Sequence, residues 1–311
     1  MNRGICYNVN VIVSVINGKG IEYHKNVEGK RLSLFKSGGT VDLVINPSNA
    51  RELSTVLDLL NQFPVPYYVL GNGSNTLIGD KGFRGIIILL SKLNDITFNS
   101  NKVFVGAGVK LPYLAHVTST ANLEGLERLS GIPCSIGGAT IKNAGCYGVE
   151  FGSLISKVLA IKTSNLDYVT IDKALLNYSY RSSNNTFDGL IVTGVELELA
   201  PSNKNLGEII EHYAQKRRLS QPNLPSLGST FIKPSTGISA GYYIDKAGLK
   251  GTKIGGAQIS EKHANFIVNI GNATSCDYLS LAELATSIVK RKFDIDLTKE
   301  IDIIGVNDIE Q

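Results

Sequence analysis

The stretch that decides the fold is rich in glycine and reads Gly131-Ile132-Pro133-Cys134-Ser135-Ile136-Gly137-Gly138-Ala139, continued by Asn143-Ala144-Gly145-Cys146-Tyr147-Gly148. Five glycines fall within these 18 residues, among mostly small side chains. Because glycine has no Cβ atom, it lets the backbone come close to a neighbouring group. The composition predicts backbone packed against something flat and bulky, such as a flavin. Close packing of chain on chain explains the same glycines equally well.

A second glycine loop, Gly71-Asn72-Gly73-Ser74-Asn75, follows the apolar run Tyr67–Leu70, which is predicted to be a buried strand. Backbone N–H groups and short polar side chains of this kind approach diphosphates in many proteins. The spacing differs from the G-x-G-x-x-G of a dinucleotide-binding βαβ unit, and no clear helix follows. Taken alone, this loop favours a tight turn between strands.

Working outward from these loops, short apolar runs alternate with turn residues and predict a mixed fold. The first run, Val9–Ile16, has the length of a strand rather than that of a signal peptide or membrane span. Further strands are predicted at 41–45, 85–90, 102–105, 158–163 and 190–199. Helices are predicted at 48–60 with Ser48 as N-cap, and at 111–122, 206–219 and 278–293. Prolines near residue 66 and the polar segment Pro201–Asn205 indicate domain boundaries near 66 and 202.

Composition and charge restrict the class of protein. Of 311 residues, 43% are hydrophobic and 19% charged, as in a globular protein with a sizeable core. The net charge of +4, without a basic block interleaved with aromatics, gives no sign of nucleic-acid binding. No apolar run reaches the roughly twenty residues that a bilayer needs, and the four cysteines lack C-x-x-C spacing. We therefore expect a cytoplasmic protein with reduced thiols, binding neither nucleic acid nor membrane.

Further motifs extend the pattern of the two glycine loops along the chain. They are Asp80–Gly85, Gly106–Gly108, Gly125–Pro133, Tyr180–Ser183, Gly228–Pro234, Ala240-Gly241, Ala247–Gly251, Ile254–Ala257, Ser260–Asn269 and Glu300–Gly305. In this order, over residues 30–305, the series resembles the UDP-N-acetylenolpyruvoylglucosamine reductases. An ordered series is far more specific than any single motif.

The resemblance implies an α+β fold with an FAD-binding domain of the vanillyl-alcohol-oxidase type. Its subdomains are expected at 1–66 and 67–201, and a C-terminal α+β substrate-binding domain at 202–311, with the last residues packing back on the first subdomain. The short segment from Gln221 to Ser229 is similar to the compact subtype, which lacks an extra tyrosine-bearing insertion.

The resemblance also implies the reaction and its participants. FAD and NADPH are the expected cofactors, and the expected substrate is the enolpyruvyl ether of UDP-N-acetylglucosamine. Its reduction gives UDP-N-acetylmuramate for peptidoglycan synthesis. We expect a monomer. We expect no metal site, because the four histidines have no Cys or second His at ligand spacing.

Three residues match the family's catalytic positions. Arg181 is expected to stabilise the enolate, since a guanidinium binds a carboxylate in two places and keeps its charge when buried. Ser229 is expected to protonate it, and Glu300 to support that transfer or orient the enolpyruvyl group. Without the resemblance each has an ordinary interpretation: a surface arginine, a turn serine, and a solvated pair of Glu300 with Lys299.

Binding residues are carried over from the same resemblance. Those for the flavin are Gly71, Asn72, Gly73, Ser74, Asn75, Gly131, Ile132, Pro133, Ser135, Ile136, Gly137, Gly138, Ala139, Asn143, Gly145 and Tyr147. Those for the substrate are Tyr180, Lys233, Lys253, Gln258, His263 and Asn265.

Two departures from the family pattern lie near the expected flavin site. Cys134 stands where glycine is usual, so its side chain is expected near the flavin diphosphate, and Ile141-Lys142 replaces an apolar or small pair. Two rival interpretations stay open: a flavin oxidase of the same fold, and a flavin-binding paralogue without turnover. The joint presence of Arg181, Ser229 and Glu300 favours the reductase.

Overall fold

The computed structural model describes residues 3–305, with side chains from residue 8 onward. The chain forms two compact units. The first contains the described residues up to Lys25 together with Leu43–Asn72 and Gly85–Lys216. The second contains Asn26–Asp42, Gly73–Arg84 and the described residues from Arg217 onward. Each unit has a hydrophobic core of its own.

Helices and strands alternate along the described residues. The helices are α1 Arg3–Gly18, α2 Ala50–Gln62, α3 Leu111–Thr120, α4 Ile136–Ile141, α5 Leu206–Ser220, α6 Ala240–Lys246 and α7 Ser275–Phe293. The first nine strands are β1 Glu22–Glu28, β2 Thr40–Asn46, β3 Tyr67–Leu70, β4 Thr76–Ile78, β5 Phe83–Leu89, β6 Ile96–Asn99, β7 Lys102–Gly106, β8 Leu123–Glu124 and β9 Gly145–Cys146. The others are β10 Val149–Glu150, β11 Ile155–Lys162, β12 Tyr168–Asp172, β13 Leu190–Glu198, β14 Ala200–Pro201, β15 Lys253–Ile254, β16 Ala257–Ile259, β17 Ile267–Asn269 and β18 Asp302–Ile304.

The first unit is built on a five-stranded antiparallel sheet in the order β12-β11-β13-β7-β6. Val158, Val195 and Val105 lie in register across three neighbouring strands, and all three are fully buried. Helix α4 packs against β13 and β7 of this sheet. A four-stranded sheet has the strand order β1-β2-β5-β3, with β3 and β5 parallel.

The second unit combines the antiparallel sheet β15-β16-β17 with helices α6 and α7. Leu281, Ala285 and Val289 recur every four residues of α7 and are buried, which confirms the predicted apolar stripe. Strand β18 pairs in parallel with β4, so residues 302–304 lie beside residues 76–78. The three-part division at residues 66 and 202 stays a prediction.

The α+β class and most predicted elements are confirmed, but the N-terminal prediction is wrong. Val9–Ile16 lies in helix α1, because Ile12 and Ile16, one turn apart, are both fully buried in the core. Core packing of this helical stripe outweighs the strand preference of a valine-rich run. Strand β3 is confirmed, although Leu70 is its only buried residue.

Two local predictions also need correction. The N-cap of α2 is Asn49 rather than Ser48, since the Asn49 side chain accepts the N–H of Glu52 at 2.9 Å. Ser48 instead donates its N–H and hydroxyl to the Glu52 carboxylate. The range 71–200 holds a second helix, α4, which adjacent glycines Gly137 and Gly138 concealed because glycine disfavours helix.

Among residues 3–305, no helix combines the length and the apolar character that crossing a bilayer requires.

The N-terminus of α7 is capped by an aspartate distant in sequence. Asp80 accepts the N–H groups of Ser275 and Cys276 at 2.7 and 2.8 Å, and Thr274 accepts the N–H of Asp277 at 3.0 Å. The first three N–H groups of the helix are therefore bonded to side-chain oxygens, and one acceptor is a carboxylate, which the helix dipole favours. This contact gives Asp80 of the Asp80–Gly85 motif a structural role.

Replacing Asp80 with alanine is expected to destabilise the protein by about 2 kcal/mol, because two backbone donors lose a charged acceptor. The measurement is the midpoint of urea unfolding, followed by circular dichroism. Asp296→Asn is the matched control, since this carboxylate at the other end of α7 is 80% exposed. Its midpoint should stay near that of the parent protein, and equal midpoints for the two variants would contradict the capping role.

Candidate active site

In the first unit, Gly71 and Asn72 at the start of one glycine loop meet the other glycine loop. A Cβ atom on Gly71 would lie 2.3 Å from the hydroxyl oxygen of Ser135, so no larger residue fits there without displacing that hydroxyl. Asn72 donates from its amide nitrogen to the carbonyl of Pro133 at 2.7 Å. Gly71 and Asn72 thus contact the segment that contains Pro133 and Ser135.

Helix α4 begins directly at this contact. Ser135 is its N-cap and accepts the N–H of Gly138 at 3.3 Å. A Cβ on Gly138 would meet only that hydroxyl, at 3.5 Å, so the backbone here is open to the approach of a ligand. Gly137 differs, because its N–H donates to the carbonyl of Ala107 at 2.8 Å and its Cα lies against Ala107. Close chain packing therefore explains Gly137, as the alternative interpretation of the stretch expected.

Cys134 precedes the N-cap of α4. It is buried in the hydrophobic core of the first unit, with 9% exposed, together with Ile136 and Ala139. Whether this buried thiol lies near the flavin diphosphate stays a prediction. Ile141 and Lys142 lie at the far end of α4, where Lys142 is the C-cap.

Asn143 links the segment after α4 to the rest of the unit. It is fully buried with φ of 43°, and its amide nitrogen donates to Glu150 Oε2 and to the carbonyl of Ser179 at 3.0 and 2.9 Å. Its amide oxygen accepts the N–H of Gly152 at 3.0 Å. Both the nitrogen and the oxygen of the Asn143 side-chain amide are therefore hydrogen-bonded to other protein groups.

Arg181 contacts the same segment. Its Nη2 donates to the carbonyl of Gly145 at 2.8 Å, and its guanidinium lies 5.2 Å from the ring centroid of Tyr180. The backbone of Arg181 has φ of 57°, a left-handed conformation that is uncommon outside glycine. The structure therefore brings Arg181 into contact with Gly145, a residue predicted separately as part of the flavin site.

An aromatic and cationic cluster beside this segment was missed by the sequence interpretation. Tyr147 stacks on Tyr213 of α5 at 4.8 Å between centroids, and Lys216 and Arg128 lie 5.6 and 5.7 Å from the Tyr147 and Tyr213 rings. Arg128 also donates to the carbonyl of Tyr147 at 3.2 Å. Tyr213 and Lys216 belong to none of the motifs. The one sequence signal that could have linked them is their spacing of about one helical turn in α5.

A pocket of about 690 Å³ opens next to this cluster in the first unit. It is lined by Glu124, Gly125, Glu127, Arg128, Val149, Lys204, Asn205, Glu208, Ile209, His212 and Tyr213. None of the sequence-predicted catalytic or binding residues lines it.

In the second unit, the segment after Ser229 is paired with the segment that contains Glu300. Glu300 donates its N–H to the carbonyl of Thr230 at 2.8 Å, and Ile232 donates to Thr298 at 3.0 Å. The carbonyl of Glu300 accepts the amide N–H of Asn75 at 3.0 Å. Ser229 and Glu300, far apart in sequence, are thereby carried by neighbouring, directly bonded segments.

Asn75 lies with Gly73 and Ser74 in the second unit. Gly73 has φ of 62°, and a Cβ there would lie 1.8 Å from the carbonyl oxygen of Leu32, so glycine is required by the backbone itself. Asn75 accepts the N–H of Asp302 on its carbonyl at 2.9 Å. The hydroxyl of half-buried Ser74 has no hydrogen-bond partner among residues 3–305.

The predicted substrate-binding residues of the second unit differ in how they are held. Asn265 is buried, and its amide bonds both the N–H and the carbonyl of Phe231, at 3.1 and 2.8 Å. His263 accepts the Asn265 N–H on Nδ1, as assigned, at 3.3 Å, and burial lowers the pKa of His263 from its ordinary value. Gln258 donates to the carbonyl of Gly251 at 3.2 Å. Lys233 and Lys253 are exposed.

The residues around Gly71 suit the diphosphate of a dinucleotide such as FAD. Gly71, Ser135 and Gly138 present backbone and a hydroxyl without a bulky side chain, beside the start of a helix. Residues 41–163, which contain them, match the family model described as FAD binding domain. The chain is thus a flavoprotein of the FAD-binding class, and the expected FAD-binding domain is confirmed.

The C-terminal part identifies the family. Residues 221–304 match the model described as UDP-N-acetylenolpyruvoylglucosamine reductase, C-terminal domain. The chain is 39% identical over 278 residues to the UDP-N-acetylenolpyruvoylglucosamine reductase of Caldanaerobacter subterraneus, covering 89% of this chain and 91% of that protein. It is 42% identical to the same-named protein of Chloroherpeton thalassium, with 88% and 90% covered. The chain belongs to the UDP-N-acetylenolpyruvoylglucosamine reductase family.

A solved structure supports the same assignment. The crystal structure of UDP-N-acetylenolpyruvylglucosamine reductase from Thermus caldophilus matches with a TM-score of 0.77 and 32% identity. The match covers 92% of this chain and 99% of that one.

Replacing Gly71 with alanine is expected to weaken FAD binding about five-fold to ten-fold. The new Cβ displaces the Ser135 hydroxyl, and α4 loses its cap, which contributes about 1 kcal/mol. Titration of the apoprotein with FAD, followed by flavin fluorescence, measures the effect. Ser135→Ala should weaken binding similarly, and the double variant no further, because both changes remove one contact. Gly18→Ala, with no atom near its Cβ, is the control. Fully additive effects of the two changes would contradict this account.

Proposed function

We propose that this protein is an FAD-dependent, NADPH-driven reductase. Its substrate is the enolpyruvyl ether of UDP-N-acetylglucosamine, and its product is UDP-N-acetylmuramate for peptidoglycan synthesis. Relatives at 39% and 42% identity carry the reductase name over about nine-tenths of their length. The observation that carries the proposal is the 2.8 Å hydrogen bond from Glu300 to Thr230, which joins the segments bearing Ser229 and Glu300.

The reaction adds one hydride and one proton across a carbon–carbon double bond. FAD held at Gly71, Ser135 and Gly138 would supply the hydride chemistry that connects NADPH to the terminal carbon of the enolpyruvyl group. Negative charge then develops on the carbon next to the carboxylate and on the carboxylate oxygens. The protein must stabilise this charge with a cation and supply a proton to that carbon.

We assign the proton to Ser229. Its hydroxyl has no hydrogen-bond partner among the described residues, which leaves it available to a substrate. A serine hydroxyl is a weak acid in water, so it acts only when it is held at the carbon and supported by its surroundings. The pairing of Thr230 with Glu300 supports such a placement, and the Glu300 carboxylate assists the transfer.

We assign stabilisation of the negative charge to Arg181. A guanidinium stays protonated in a partly buried position and binds carboxylate oxygens with parallel N–H groups. The hydrogen bond to Gly145 and the ring of Tyr180 orient it. Negative charge that develops near an oriented cation is stabilised without reorganisation of the protein.

The remaining matched residues divide into two groups in this proposal. Gly71, Gly138 and Ser135 offer backbone or hydroxyl groups to the flavin, and Lys233 and Lys253 offer positive charge to the diphosphate of the substrate. Asn143 and Asn265 support the site instead, because their amides bond the protein's own backbone. We also propose a monomer located in the cytoplasm, which gel filtration and cell fractionation test.

The FAD-loaded protein is expected to oxidise NADPH only when the enolpyruvyl ether is present. The measurement is NADPH absorbance with and without the ether, read beside the visible flavin spectrum. Ether-independent consumption of NADPH would contradict the reductase. Flavin that stays attached after denaturation would point to the rival oxidase, since such enzymes often bind flavin covalently.

Replacing Ser229 with alanine is expected to leave flavin reduction by NADPH unchanged and to slow reoxidation by the ether about 10²-fold to 10⁴-fold. Stopped-flow absorbance separates the two half-reactions, and the first serves as the internal control. Equal reoxidation rates for the variant and the parent protein would exclude Ser229 as the acid.

A further inference from the structure

The segment that follows Ser229 is held from both sides by backbone hydrogen bonds in the second unit. On one side Thr230 donates its N–H to the carbonyl of Asn265 at 2.7 Å. On the other side its carbonyl accepts the N–H of Glu300 at 2.8 Å. Both backbone groups of Thr230 are therefore engaged, and the position of the preceding residue, Ser229, depends on them.

The side chain of Thr230 adds a third contact beneath this segment. Its hydroxyl lies 3.0 Å from the hydroxyl of Tyr278 in α7, and both residues are fully buried. The Tyr278 ring packs edge-on against Phe35 at 4.9 Å between centroids, which fixes the ring plane. Two hydroxyls that bond each other in a dry core hold a more definite geometry than apolar groups of the same shape.

Tyr278 also lies within electrostatic range of Glu300. Burial, and then the negative charge of Glu300, raise the pKa of Tyr278, while the bond to Thr230 opposes this shift. The hydroxyl therefore stays protonated wherever an enzyme of this kind works, and it keeps its hydrogen bond to Thr230.

We propose that Tyr278, acting through Thr230, is a positioning residue that fixes the Ser229 hydroxyl relative to Glu300 for protonation of the substrate. This inference rests on the proposed function of Ser229. Tyr278 does not touch the reacting atoms. It anchors Thr230 to the rigid first turn of α7, whose N-terminus is capped by Asp80 and Thr274. Without this anchor, Ser229 and its neighbour are held by backbone bonds alone.

A second tyrosine of the same core makes a comparable hydrogen bond to a threonine, but that threonine is not adjacent to Ser229. Tyr243 of α6 is 8% exposed and donates to the hydroxyl of Thr236 at 3.0 Å. Tyr243→Phe removes one hydroxyl from a buried tyrosine bonded to a threonine, as Tyr278→Phe does. Only Tyr278 contacts the residue next to Ser229, so the pair separates positioning from a general loss of core hydrogen bonding.

The experiment measures both half-reactions of FAD-loaded Tyr278→Phe and Tyr243→Phe by stopped flow. Tyr278→Phe should slow reoxidation at saturating enolpyruvyl ether about 10-fold or more, because misplacement of an acid by a fraction of an ångström lowers its rate. The KM for the ether and the rate of flavin reduction by NADPH should change less than about two-fold, because the buried substitution leaves the surfaces that bind these two molecules unchanged. Tyr243→Phe should match the parent protein in both half-reactions.

Thr230 provides a second and independent test should Tyr278→Phe fold poorly. Thr230→Val removes the hydroxyl at constant shape and should reproduce the slow reoxidation. Thr230→Ser keeps the hydroxyl and should show the reoxidation rate of the parent protein. Reoxidation at the parent rate in Tyr278→Phe or in Thr230→Val would overturn the proposal. Equal slowing in Tyr243→Phe would overturn it as well, since the effect would then belong to core stability.

The parent protein distinguishes this inference from the proposed function. A parent protein that accepts electrons from NADPH but is not reoxidised by the ether refutes the reductase, and the positioning role with it. A parent protein that is reoxidised normally, beside unaffected Tyr278→Phe and Thr230→Val variants, refutes the positioning role alone.

Discussion

The backbone of Glu300 is held at both of its polar groups, and the second unit depends on this arrangement. Its N–H donates to Thr230 and its carbonyl accepts from the amide of Asn75, at 2.8 and 3.0 Å. The strand that follows, β18, pairs in parallel with β4, which follows Asn75. Three distant parts of the sequence therefore converge at one residue. Because buried backbone groups must find partners, a shift of any one part would leave the others unsatisfied.

The same region links the site to the core through α7. Asp80 lies two residues beyond β4 and caps the helix, and Tyr278 lies in the first turn of that helix. Ser229 is thus connected to a rigid element through Thr230 and Tyr278. A weak acid such as serine needs this kind of support, since its contribution depends on placement more than on its pKa.

The glycines of this chain serve two different purposes. Gly73 and Gly137 are needed because other parts of the protein lie against their Cα atoms. Gly138 instead leaves its backbone open, and Gly71 leaves room for the hydroxyl that caps α4. A glycine-rich motif can therefore contain glycines that leave backbone open to a ligand and glycines that allow close chain packing. Composition alone does not distinguish these two kinds of glycine.

Two asparagines illustrate a related limit of motif matching. Asn143 and Asn265 fall in motifs whose matched residues are predicted to bind flavin or substrate, and each amide bonds backbone groups of the protein. An amide both donates and accepts, so it replaces a missing strand partner where the backbone is irregular. The motif marks a region of the chain, and the contacts show which of its side chains bond the protein's own backbone.

The sequence by itself determined the family, the α+β class, the FAD-binding domain and most of the helices and strands. These features depend on local periodicity and on motif order, which are present in the linear chain. It did not determine that Val9–Ile16 is helical, because the choice depends on Ile12 and Ile16 packing into a core built from distant residues.

Only the tertiary structure decided the partners of individual side chains. Asp80 capping α7, Cys134 lying in the core and Tyr278 bonding Thr230 all join residues separated by tens or hundreds of positions. Such contacts carry no local signature, since a side chain's partner depends on how the whole chain folds around it. The sequence thus determined which chemistry is present, and the tertiary structure decided how it is held.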